Sequence, residues 1–164
     1  MFNPHAPTPR QVIVRQQLPA PPERVFALFT TAQGLRSWFC DEAESTEALH
    51  GEVHAGWTED DGSSWERIGR WVEFDPPRVA VLEWYGVQSA GKNAGEEGQL
   101  VPDYWRIAVA PDNESAGSVV TVVSPLVASD VAMRPELLAD AARMGWETTF
   151  AALREMLTDA PEGR

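Results

Sequence analysis

The final stretch of the chain carries the pattern that most restricts how it can fold. From Pro135 to about Thr158, apolar residues return on the helical period. At 100° per residue, Leu138, Ala142, Trp146, Thr149, Leu153, Met156 and Leu157 share one side, while Glu136, Asp140, Arg143, Glu147, Arg154 and Glu155 share the other. About 24 residues at the standard rise make a helix near 36 Å long. One position resists the pattern. Gly145, next to Trp146, should weaken a helix interior by about 1 kcal/mol relative to alanine. Ala141, Gly145, Thr149 and Ala152 read as a strip of small side chains along one edge of the buried side, and Trp146, Phe150, Leu153 and Leu157 as an adjacent strip of large ones. The large strip anchors the helix. The small strip leaves room, either for a close-approaching strand or for the roof of a cavity.

Most of the preceding chain reads as strand and turn. Residues 10–18, "RQVIVRQQL", carry β-branched residues with partial alternation. Residues 19–31 then read as a helix, with Pro21 and Pro22 in its first turn and Glu23 set against the positive end of its dipole. Gly34 breaks it, and 34–39 form a second short helix. "VHAGWTED" and "SSWERIGRWVEF" flank an Asp61-Gly62 turn, a hairpin signal. Asp75-Pro76-Pro77 turns the chain into a strand at 78–85. Residues 86–103 are glycine-rich and polar and read as a long connection. Strands at 104–110 and 118–125 follow. One strand, two short helices, a run of strands and a terminal helix imply an α+β domain with an antiparallel sheet that buries the apolar stripe of the long helix. The chain length suits a single domain over 10–158, with a loose arm at 1–9 and a loose tail at 159–164.

Charge and composition narrow the partners. Thirteen basic against 25 acidic residues give a net charge of −12, which repels phosphate backbones and anionic lipid surfaces, so neither nucleic acid nor membrane is an expected partner. No apolar run reaches 18 residues, the start lacks a signal-peptide core, and the lone cysteine, Cys40, rules out an internal disulfide, all in keeping with a cytoplasmic setting. Seven tryptophans are many for this length and point to a well-packed core or an aromatic-lined pocket.

The chemistry-bearing residues form no standard catalytic set. His50 and His54, four apart in extended chain, lie about 13 Å apart, too far to share a metal. Cys40 reads as a small buried hydrophobe. Glu66, Glu73, Glu83 and Asp103 are the carboxylates placed among strand residues where acid–base work could occur. Arg70 and Arg106 sit mid-strand among tryptophans. Each either holds an anionic ligand group or faces outward, paired with a sheet glutamate. Trp65 and Trp71, six apart, face one side of their strand. If that side meets the long helix, they line a cavity; otherwise they are core. No metal or cofactor is expected.

Four stretches together resemble a known family: "APPERVFALFTTAQGLRSWF" at 20–39, "GRWVEFDPPRVAVLEW" at 69–84, the Val-Thr-Val strand at 120–122, and Gly145-Trp146 with Phe150, Leu153 and Leu157. In order and spacing they are similar to the activator of heat-shock-protein-90 ATPase homologue-like family of the START-like superfamily. The resemblance implies a helix-grip fold: a curved antiparallel sheet of six to seven strands around the C-terminal helix, with two short helices after the first strand. It also implies a cavity between sheet and helix that takes a small hydrophobic or amphipathic molecule, without catalysis of its own. The ligand-binding set it points to is Phe29, Trp38, Trp57, Trp71, Trp84, Trp105, Arg70, Arg106, Gly145, Trp146, Thr149 and Phe150. Two alternatives stay open: a cyclase or dehydratase acting on a polyketide-like or aromatic substrate, and a chaperone-associated stress-response module. A homodimer is compatible with either. The sequence departs from the family's usual Gly-Gly pair before the second hairpin, with only Gly51 in place, and in the length of 86–103.

Overall fold

A computed structural model describes residues 11–90, 103–126 and 135–159, with the side chains of 89, 90 and 135–138 left undescribed. The expected arm at 1–9, most of the 86–103 connection and the end of the tail lie outside the described residues. The elements are β1 (Gln11–Leu18), α1 (Pro22–Thr30), α2 (Ala32–Trp38), β2 (Glu42–Ser45), β3 (Glu52–Thr58), β4 (Ser64–Asp75), β5 (Val79–Ala90), β6 (Asp103–Pro111), β7 (Ser118–Pro125) and α3 (Pro135–Asp159). All seven strands form one antiparallel sheet in the order β1-β7-β6-β5-β4-β3-β2. With α3 laid on the concave face and α1–α2 closing one end, this is the expected α+β helix-grip architecture.

The alternation in the strands explains which face is concave. Val12, Val14 and Leu18 of β1, Val53 and Ala55 of β3, Ala80, Leu82 and Trp84 of β5, Trp105, Ile107 and Val109 of β6, and Val120 and Val122 of β7 are buried, and their neighbours are not. Phe150, Leu153 and Leu157 of α3 complete the core. One flank of α3 is tied to β1, where Arg143 donates to Ile13 O (3.2 Å) and Arg154 to Gln16 Oε1 (2.9 Å) and Gln17 O (3.2 Å).

Three boundaries differ from the sequence expectation. α2 begins at Ala32 rather than Gly34, because the Thr31 hydroxyl accepts from the Gly34 N–H (2.9 Å) and caps it. β2 is an additional strand. It is four residues long with two glutamates, and it forms because β3 offers it an unpaired edge. β5 runs to Ala90, five residues beyond Tyr85, so 86–90 are strand and not connection. The far end of β4 supplies the partners, from Ile68↔Gly86 to Ser64↔Ala90.

Candidate functional site

The residues the concave face brings together are rings. Phe39 of the α2–β2 link meets Trp105 at 4.7 Å between centroids, Trp57 at 5.0 Å and Trp84 at 5.9 Å. Trp105 touches Trp84 (5.3 Å), Trp146 (5.6 Å) and Trp38 (5.9 Å), and Phe150 extends the chain of rings from Trp146 (6.1 Å) to Phe29 (6.3 Å). Trp57 stacks on Trp65 at 4.1 Å. Seven of the residues expected at the site, Phe29, Trp38, Trp57, Trp84, Trp105, Trp146 and Phe150, thus form one contiguous cluster drawn from both layers. Its inner members are closed off, with Trp84 1% and Trp105 6% exposed. Trp38, Trp57, Trp65 and Trp146 remain half-buried along its border.

Three of the indole N–H groups in this wall are held by the protein. Trp38 donates to Leu28 O (2.8 Å), Trp57 to Phe39 O (3.0 Å) and Trp146 to Ser124 Oγ (3.2 Å). Trp71 faces the same side but lies deeper. It is fully buried against Phe74 and donates to Ser45 Oγ, so it belongs to the closed end of the core rather than to the ring cluster.

A polar pair sits within the aromatic wall. Arg67 reaches inward from β4, and its guanidinium lies 4.6 Å from the centroid of Trp84. Its Nη2 donates to Asp103 Oδ2 at 2.6 Å, the two side chains being 17% and 20% exposed. Among the described residues, Arg67 Nε and Trp84 Nε1 are buried without a hydrogen-bond partner. Buried donors are normally satisfied, so two on one stacked pair mark an unusual spot.

The two arginines expected here lie elsewhere. Arg70 is exposed on the outer face, 3.3 Å from Glu83, and Arg106 is exposed beside the inward Trp105. The strand period accounts for both. Trp65, Arg67, Gly69 and Trp71 alternate inward on β4, which sends Arg70 outward. Arg67 stands two residues after Trp65 and four before Trp71, and those even separations are the sequence signal that selects it for the inner face. Of the carboxylates, Asp103 is the inward one. Glu73 is exposed, Glu83 takes its place opposite Arg70, and Glu66 lies against His54.

Gly145 also needs correcting. It is exposed, and a Cβ there would meet no atom within 4 Å. Ala141 and Ala152 are exposed with it, so the strip of small residues looks outward and leaves no room against the sheet. Thr149 is half-buried, but its hydroxyl donates to Gly145 O (3.0 Å) within the helix.

On the outer face, His54 lies between Glu52 and Glu66, beside a cleft of about 390 Å³ lined by Arg36, Glu42, Glu44 and Glu66. Partial burial works against the imidazolium, but both carboxylates favour it more strongly, and the net shift of its pKa is upward. His50 is not on that strand at all; it precedes β3 in the left-handed region (φ 66°). Cys40 is buried, and burial raises its thiol pKa, the reverse of what a nucleophile needs. A larger furrow, about 440 Å³, runs along the outer side of β1, β7 and β6 between Arg15, Gln17 and Thr121. None of the rings lines it. Among the described residues no helix is long and apolar enough to cross a membrane.

A curved antiparallel sheet gripping a C-terminal helix, with an aromatic-lined inner face, defines a START-like helix-grip domain. The family model described as Activator of Hsp90 ATPase homolog 1-like protein matches residues 19–158, and the chain belongs to that family. No curated protein matches it. Among solved structures, CV1439 from Chromobacterium violaceum is similar with a TM-score of 0.68 at 16% identity, over 93% of this chain and 100% of that one. The Aha1 dimer from Colwellia psychrerythraea has a TM-score of 0.59 at 13% identity, over 93% and 98%. DynU16, a protein of the dynemicin biosynthetic locus, has a TM-score of 0.62 at 15% identity, over 92% of this chain and 48% of that one. At these identities the likeness is one of fold.

Proposed function

We propose that the protein binds a small hydrophobic or amphipathic molecule between the concave sheet face and α3, in the manner of a carrier or sensor rather than a catalyst. The observation that carries this reading is the ring cluster. Apolar packing alone has no need of tryptophan at Trp38, Trp57, Trp65 and Trp146, which all keep part of their surface exposed. Indole rings left at the border of a core offer a ligand large, rigid contact area at low entropic cost. Phe29, Phe150, Trp84 and Trp105 back this wall, and Arg67 with Asp103 gives it a polar end. Arg70, Arg106 and Gly145 have no part in the site. Asp103 is engaged by Arg67, which suits it to holding the guanidinium rather than moving protons. A homodimer fits the same reading, supported by the dimeric state of the Colwellia relative; sedimentation velocity reads it directly.

Ethylnaphthalene, an apolar ring compound, tests the proposal. At about 100 times its dissociation constant a ligand of the native state stabilises by about 2.7 kcal/mol, so the melting temperature should rise. Trp146→Ala, with folding checked by circular dichroism, should weaken binding by roughly tenfold. Absence of any shift in the wild-type protein, with this compound and with polar analogues on the same ring skeleton alike, would sink the reading.

A further inference from the structure

Resting on that reading, we infer that the ligand presents a neutral carbonyl oxygen to Arg67 and Trp84, and so belongs to the class of ring-bearing ketones, quinones or lactones rather than to the fatty or aromatic acids. Three observations carry this. The first is donor supply: Arg67 Nε and Trp84 Nε1 are buried N–H groups with no acceptor among the described residues. An amphipathic ligand that brings an oxygen to them relieves a cost that the free protein bears. Trp84 is 1% exposed, so little water competes for its donor.

The second is charge. Arg67 is already neutralised by Asp103 at 2.6 Å, and the other charged residues of β4 and β5 nearby, Glu66, Arg70 and Glu83, pair on the outer face. A carboxylate placed against the guanidinium would sit beside the Asp103 carboxylate in a poorly solvated spot, on a chain of net charge −12. A neutral acceptor takes the same hydrogen bond without that repulsion. The third is shape. The guanidinium lies over the face of Trp84, and Trp84 meets Trp105 and Phe39 edge-on or tilted. The acceptor is therefore framed by ring faces and edges that suit a planar skeleton.

Equilibrium dialysis of the full chain with three probes of one skeleton tests the inference: ethylnaphthalene, acetonaphthone and naphthoate. Wild-type protein should bind the ketone about tenfold more tightly than the hydrocarbon, the worth of one net hydrogen bond, and naphthoate most weakly. Arg67→Lys keeps the charge for Asp103 but removes the Nε donor, and should cut the ketone's preference over ethylnaphthalene several-fold, to what the remaining Trp84 Nε1 donor supports. Asp103→Asn frees the guanidinium charge and should improve naphthoate by about tenfold. The Asn variant keeps the test alive if Arg67→Lys folds poorly. Equal binding of ketone and hydrocarbon, tightest binding of naphthoate, or a ketone preference undiminished by Arg67→Lys would each overturn the inference while the binding site itself stands. Failure of all three probes to bind would overturn both.

Discussion

Gly145→Ala should stabilise the protein. The position is mid-helix, exposed, and open around the Cβ that alanine would add. Only the helix propensity changes, by about 1 kcal/mol in favour of alanine, which for a domain of this size raises Tm by roughly 2–4 °C. A fall in Tm on calorimetry would mean the glycine serves a contact absent from this account. His54 has a consequence for pH. Its folded-state pKa is raised by Glu52 and Glu66. The stability it contributes is therefore complete below the ordinary imidazole value of about 6.5 and is lost as pH climbs through the raised value. Thermal melts from mildly acid to mildly alkaline pH should show Tm falling over that window, and His54→Ala should flatten the fall. An imidazole NMR titration with a midpoint below the ordinary value would contradict it.

At the scale of elements, the α1–α2 corner depends on close approach. A Cβ at Gly34 would stand 2.1 Å from Ala27 O and 2.7 Å from Leu28 Cα, both backbone atoms. Gly34→Ala must push the two helices apart, at a cost on the order of 1–3 kcal/mol; a urea midpoint unchanged from wild type would refute that. The same corner was legible in the sequence through Pro21, Pro22 and Gly34, because proline and glycine act locally. The limits of β2 and β5 were not. Glu42–Ser45 and the polar end of β5 have little apolar alternation and become strands only because β3 and β4 present partners. Pairing across the sheet is a property of the fold, not of the segment. On β4, the alternation through Trp65 and Trp71 is readable in the sequence, and counted through it puts Arg67 on the inner side and the expected Arg70 on the outer.

For the molecule as a whole, the period of α3 and the strand-rich middle foretold the layers, and the family pattern foretold their order. Seven members of the ring cluster are legible in the sequence, since large aromatics at alternate strand positions turn inward together; Phe39, which sits in the α2–β2 link outside any strand period, is not. The Arg67–Asp103 pair was not, because its members are 36 residues apart in sequence and meet only when β4, β5 and β6 are in register. The central claim is that the inner aromatic face takes the ligand. The seven tryptophans make it directly measurable. In a two-dimensional ¹H–¹⁵N spectrum titrated with acetonaphthone, the indole N–H signals of Trp57, Trp84 and Trp146 should move, with that of Trp84 shifting downfield as it gains an acceptor. That of Trp71, buried at the closed end, should stay, as should the amides of Thr121 and His54 on the outer face. Movement confined to Thr121, His54 and their neighbours, or a spectrum that does not change, would contradict the claim.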